Sequence, residues 1–189
     1  MNKELEEQAR AYLMNAMLTP KQIAALEKIG YFTAPAAMRH HLNRPQGLSE
    51  HSINVTNKML EFKAFELRES CYRVGMLHDV VKCLCYRAKE KDGKTTYGYV
   101  QPPYPGHGVC SALVLDDLEI RLTPEERAAI VWHMGVYGMD EVQLRQYEAA
   151  KLLYPRAILL THTADCLATA FEKVSLPNEA EEEEEEEGK

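Results

Sequence analysis

The stretch Gly75-Met76-Leu77-His78-Asp79-Val80-Val81-Lys82 sets an imidazole and a carboxylate side by side inside a run that is otherwise apolar. A buried carboxylate is costly unless it is paired, hydrogen-bonded or bound to a metal. The run therefore either breaks at a surface or gives His78 and Asp79 a strong shared partner. Adjacent helix residues diverge by about 100°, so both side chains can reach an ion beside the segment. Lys82, one turn beyond His78, lies on the same side. A protonated lysine is no ligand, but it can hold a phosphate bound to a metal.

Other histidines share this unusual setting. His51, His78, His133 and His162 lie on segments with apolar neighbours, and His107 lies between two glycines at a helix start. Several polar rings on different core segments need partners, and a divalent ion meets that need. Neutral imidazole and carboxylate suit manganese, iron, nickel or zinc, with magnesium also possible.

The chain is expected to be mainly α. Apolar positions recur at helical spacing over residues 3–17, and Thr19-Pro20 opens a short helix that Gly30 stops. Residues 31–47 read as a loop. Between Leu48 and about Leu67, the positions Leu48, His51, Val55, Met59 and Phe62 form one face. A helix from about Glu69 to Cys83 is expected to carry the His78-Asp79 pair. Asp92-Gly93, between two strand-like arms, signals a β-hairpin. A Pro-rich loop leads to a helix over about 107–118. Thr123-Pro124-Glu125-Glu126 is a capping box that launches AAIVWHMG. Helices over 141–153 and 155–174 are split by Tyr154-Pro155.

These readings divide the chain into an N-terminal helical extension packed on the core (1–37), a main domain (38–176) and a disordered acidic tail (177–189). The net charge of -7 comes from the run Glu179 to Glu187, which leaves the rest near neutral and argues against a broad nucleic-acid surface. The five cysteines form no Cys-x-x-Cys pair and read as reduced, mostly buried thiols. The charged N-terminus lacks the apolar segment of a signal peptide, and no run approaches membrane-spanning length. A cytoplasmic protein without membrane partners is expected.

The order His51, His78-Asp79, Asp165 resembles the HD-domain metal-dependent phosphohydrolase superfamily, in which a helical core presents His, His-Asp and a distant Asp to a metal. GLSEHSINV resembles its first-histidine helix, GMLHDVVK its signature, and LLTHTADCLAT its closing helix. PGHGVCSALVL and AAIVWHMG resemble the extra histidine segments of the dinuclear branch, which includes ribonuclease HD domains and cyclic-dinucleotide phosphodiesterases. The resemblance covers about residues 38–172 and implies an HD-domain helical bundle with a small β-hairpin insert. It implies His51, His78, Asp79 and Asp165 as ligands of one ion, with His107 and His133 serving a second. Asp79 would bridge and orient the attacking metal-bound water, and Lys82 would bind phosphoryl oxygens.

MRHHLNRPQG borders the implied pocket, so His40, His41 and Arg44 are candidates for substrate contact. His162, three residues before Asp165, is a candidate support for that carboxylate. Tyr97, Tyr99 and Tyr104 are expected to pack across the hairpin rather than stack on a base.

The chain departs from the dinuclear pattern at Met134, where several members carry a second adjacent histidine. It also lacks an evident GYP element of the cyclic-di-GMP phosphodiesterases, and it inserts Cys85 to Tyr104. The expected activity is hydrolysis of a phosphate ester of a nucleotide or similar small molecule. The alternatives are a non-catalytic nucleotide-binding signalling module, or a phosphodiesterase for short RNA or cyclic nucleotides. His-Glu-x-x-His and Gly-x-Ser-x-Gly are absent, against a zinc peptidase or a serine hydrolase.

Overall fold

The computed structural model describes residues 2–38, 41–91, 94–102 and 106–174. His40, Tyr104, the Asp92-Gly93 turn and the acidic tail lie outside the described residues. The described chain is mainly α with one small hairpin. Its elements are α1 (Lys3–Asn15), α2 (Pro20–Lys28), α3 (Gly47–Phe62), α4 (Arg68–Leu77), α5 (Lys82–Cys85), β1 (Tyr86–Lys91) and β2 (Lys94–Tyr99), followed by α6 (His107–Asp117), α7 (Pro124–Val131), α8 (Glu141–Leu153) and α9 (Pro155–Val174).

Local chemistry sets the helix ends. Thr19, Thr123 and Asp140 each accept from the amide three residues on, while Gln22, Glu126 and Gln143 reach back to close capping boxes. Pro20 and Pro124 occupy first-turn positions, where a missing N–H costs nothing. Gly30, with φ of 90°, ends α2 in a conformation that β-carbon-bearing residues rarely adopt. The third helix stops at Phe62 rather than near Leu67, because Lys63 turns into the left-handed region.

The core lies between α3, α4, α7 and α9, and Ala9, Leu13 and Leu26 of the first two helices join the same buried cluster. On α3 the stripe Leu48, His51, Val55 and Met59 is fully buried. A β-carbon at Gly75 would lie 2.7 Å from the Thr56 Cα, so this glycine lets α4 press directly against α3. An ion pair buried at its Glu126 end, Arg73 to Glu126 at 2.8 Å, ties α4 to α7, and the same guanidinium donates to the Ala16 carbonyl. Burying such a pair is tolerable because its donors are satisfied.

One expected helix is shorter than its sequence suggests. The fourth helix ends at Leu77, so His78, Asp79, Val80 and Val81 form a turn, and Lys82 begins the separate short α5. The amides of Val80, Lys82 and Cys83 bond three residues back (to Leu77, Asp79 and Val80) rather than four, and that of Val81 donates to the Ser111 hydroxyl. The Gly75 carbonyl, which a continuing helix would offer to the Asp79 amide, instead accepts from the His78 ring at 2.9 Å. The hairpin forms as its turn signal implies, with Tyr86 opposite Tyr99 and Ala88 opposite Tyr97. Among the described residues no helix is long and apolar enough to cross a membrane.

Candidate metal centre

Three fully buried imidazoles meet at the centre of the bundle: His51 from α3, His78 just after α4 and His133 just after α7. Their rings stand in a row, with centroids 5.4 Å apart for His51–His78 and 5.0 Å for His78–His133. Each ring is anchored through Nδ1. His78 donates to the Gly75 carbonyl at 2.9 Å, His133 to the Ile130 carbonyl at 2.7 Å, and His51 to the Glu172 carboxylate at 3.0 Å. The first two use one device: a histidine placed just past a helix end turns back onto a carbonyl three residues earlier.

Anchoring Nδ1 assigns that proton and turns Nε2 inward as a lone-pair donor. All three Nε2 atoms are buried without a hydrogen-bond partner, as is Oδ1 of Asp79. They converge on two carboxylates. His51 Nε2 lies 3.1 Å from Asp165 Oδ1 and 3.9 Å from Asp79 Oδ2. His78 Nε2 lies 3.4 Å from Asp79 Oδ2 and 4.0 Å from Asp165 Oδ1, and His133 Nε2 lies 3.5 Å from Asp79 Oδ1. Ligands held roughly 2.0–2.2 Å from one ion stand about this far from one another. Three sets, His51-His78-Asp79, His78-His133-Asp165 and His41-His51-Glu172, each have their donor atoms within 4.8 Å of one another, and the first two share the row of imidazoles and its two aspartates. Orphaned inward nitrogens beside ionised carboxylates fit a divalent ion.

The electrostatics agree. Burial opposes ionisation of Asp79, but Lys82 and His78 outweigh it and hold the carboxyl well below the usual range. Asp165 is likewise held far down against its burial, chiefly by His51. Burial would lower His51, yet Asp165 and Glu172 at its two nitrogens raise it from 6.5 to about 9 in the metal-free centre. Lys82 lies 2.6 Å from Asp79 Oδ2; burial opposes its charge, and Asp79 more than restores it.

The structure brings most of the sequence candidates to this centre and sets others apart. His107 opens α6 with Nε2 buried and unpartnered, and burial lowers its pKa despite the charge of Asp79. It belongs to none of the three sets of donors within 4.8 Å. A β-carbon at the neighbouring Gly108 would lie 2.3 Å from the Val131 carbonyl oxygen, so this glycine lets the start of α6 sit on the end of α7. His41 is buried, its ring 5.4 Å from that of His51; neither nitrogen is hydrogen-bonded, though Nε2 lies 3.7 Å from Glu172 Oε2, and burial, reinforced by His51, lowers its pKa to about 4 and keeps it neutral. Arg44 is ion-paired with Glu50 in a cleft between α3 and α9, away from the convergent Nε2 atoms.

One expectation changes. His162 does not support Asp165: its Nδ1 bonds the His133 carbonyl at 2.7 Å, bracing the backbone of that histidine. Cys166, whose sulfur lies 3.7 Å from the His162 ring, is exposed, whereas the other four thiols are buried. Glu172 was not foreseen, and its signal is faint: it falls seven residues after Asp165, two turns along the same face of α9.

A family model for the HD domain matches residues 48–170. The chain belongs to the HD-domain family. The match opens on α3 and closes on α9, enclosing His51, His78, Asp79, His107, His133 and Asp165. HD domains are in general metal-dependent hydrolases, and the buried histidine and aspartate clusters of this HD domain fit a divalent ion. No curated protein and no solved structure matches the chain.

Proposed function

We propose that this HD-domain protein is a metal-dependent phosphohydrolase acting on a small phosphate ester, with a nucleotide as the substrate class. The observation that carries this reading is the triple of buried Nε2 atoms, each turned inward by an anchored Nδ1 onto Asp79 and Asp165.

His51, His78, Asp79 and Asp165 would hold a first ion of manganese, iron, nickel or zinc. The split use of Asp79 supports a second. Its Oδ2 faces His51 and His78, whereas its Oδ1 faces His133. His107, near enough to feel the Asp79 charge, would complete that side. Bound divalent ions supply an acidified water and neutralise charge on the phosphoryl group.

The chain's own groups supply the rest. The carboxylate of Asp79, held ionised, orients the attacking water. Lys82 keeps its proton; one N–H goes to Asp79, which fixes the direction of Nζ, and the other two are left for the phosphoryl oxygens. His41, neutral and with neither nitrogen hydrogen-bonded, offers a further hydrogen bond at the margin of the site. The deep placement of these groups excludes bulk water, which strengthens each of these interactions.

The reading is tested by assaying metal-loaded protein against nucleoside mono-, di- and triphosphates, cyclic nucleotides and short RNA. Release of phosphate or of a nucleoside phosphate, absent from Asp79→Ala, supports it. No hydrolysis of any member by a fully loaded protein would overturn it.

A further inference from the structure

A second polar concavity lies behind the metal centre. It is a cleft of about 550 Å³ between α3 and α9, within the size range of small-molecule sites. The α3 wall presents Glu50, Asn54, Asn57 and Lys58, which recur at helical spacing along one face. The α9 wall presents Ala168, Phe171 and Glu172, and Arg44 stands at the rim.

The hydrogen bonds already made define what the cleft still offers. The Asn54 Nδ2 donates to Glu172 Oε1 at 2.9 Å, so its Oδ1 remains as an acceptor. Asn57 Oδ1 accepts from the Tyr12 hydroxyl at 2.8 Å, so its Nδ2 remains as a donor. The cleft thus offers one acceptor and one donor, three residues apart on one helix face, the two kinds of group that the edge of a heterocyclic base pairs with. Phe171 is 61% exposed at the mouth; the Lys58 ammonium lies over one face of its ring, 5.4 Å from the centroid, and donates to Glu61 at 2.9 Å, so the cation keeps further N–H donors and the other ring face is the stacking surface. Arg44 is tied to Glu50 through a single nitrogen, leaving guanidinium donors for a phosphate.

We infer that this cleft is a nucleotide-binding site separate from the metal centre. The base would lie on Phe171 with its edge on Asn54 and Asn57, and the phosphate would lie toward Arg44 and Lys58. The site is coupled to the centre through one short chain of bonds. Asn54 holds Glu172, and Glu172 holds Nδ1 of His51, the nitrogen that faces away from Asp79 and Asp165. A ligand that draws on Asn54 therefore acts on the orientation of a candidate metal ligand without touching the ion. The inference does not rest on the hydrolytic reading, because the residues lining the cleft include none of His51, His78, Asp79, His133 and Asp165.

The test is NMR titration of the Asn54 and Asn57 side-chain amides in metal-loaded protein, repeated after metal removal with a chelator. The probes are the four common nucleoside monophosphates, with ribose 5-phosphate and inorganic phosphate as base-free controls. The expected result is saturable shifts of both amides with at least one nucleotide, in loaded and stripped protein alike. Affinity should fall at least tenfold in Asn57→Ala and in Phe171→Ala, whose metal content stays unchanged. Shifts that vanish with the metal would place the nucleotide at the metal centre and overturn the inference. Equal responses to ribose 5-phosphate would overturn base recognition, and undiminished binding in both variants would overturn the location. No response to any nucleotide at millimolar concentration would overturn the site altogether, whatever the hydrolysis assay shows.

Discussion

Glu172 lies 121 residues from His51 in the chain and binds its Nδ1 at 3.0 Å, deep between α3 and α9. The carboxylate fixes the tautomer, so that Nε2 is the nitrogen available to an ion, and it makes that nitrogen a stronger base. Glu172→Gln keeps the size of the side chain but removes its charge. Metal affinity is expected to fall by roughly ten- to a hundredfold, as for other carboxylate partners of metal-bound histidines. Competition titration with a chelating dye reads this directly, and an unchanged affinity would show that Glu172 serves packing alone.

The same pair predicts a pH dependence. In the metal-free protein the His51 pKa is raised from 6.5 to about 9, because burial is outweighed by Asp165 and Glu172. Protonated His51 thus stabilises the metal-free fold fully below pH 6.5, and this contribution is lost as pH rises through 9. An ion on Nε2 must displace that proton, so apparent metal affinity should strengthen with pH across this window. Calorimetry at pH 7.5 in buffers of different ionisation enthalpy should show about one proton released per ion from this group. A flat affinity with no proton release would contradict the assignment of His51 as a ligand.

The candidate ligands were legible in the sequence because their chemistry is at odds with their surroundings. His78-Asp79 within an apolar run demands a partner wherever the run is buried, and the order of His51 and Asp165 around it follows the family pattern. The helix break at Leu77 was not legible, because the residues from Val74 to Cys83 contain no proline and no capping signal at that point. It arises from competition between the His78 ring and a backbone amide for one carbonyl, which no periodicity reveals. Glu172 and Asn54 escaped for a different reason. A single glutamate near the end of a helix reads as solvated surface, and its burial depends on how α9 crosses α3. His162 was assigned by proximity in sequence to Asp165, but the turn after α7 passes closer to its ring. Gly135 sits there with no side chain to intervene: a β-carbon would fall 2.8 Å from the His162 ring.

Lys82 holds Asp79 Oδ2 at 2.6 Å, the oxygen that also faces His51 and His78. In Lys82→Ala a bound ion can take over the charge of Asp79, so metal should remain. Turnover should fall by roughly 10²–10³-fold, the scale for removing one donor to a developing phosphoryl charge. Steady-state rates measured at equal metal content check this. A variant with full activity would exclude Lys82 from phosphate binding.

His107 and His133 decide between one ion and two. Their joint replacement by alanine should remove about one ion per chain and leave the other among His51, His78, Asp79 and Asp165, with a steep loss of rate. Native mass spectrometry counts the ions. Unchanged metal content and unchanged rate would establish a mononuclear centre.

The most direct test of the metal centre is elemental analysis of the purified full chain, before and after incubation with manganese, iron, nickel or zinc, alongside Asp79→Ala. Inward nitrogens of three imidazoles favour transition metals over magnesium. The expected result is about one to two such ions per chain in the parent protein, and a loss of binding in the variant, because Asp79 is shared by every imidazole of the row. A parent protein that carries no ion and takes up none of the four would contradict the account.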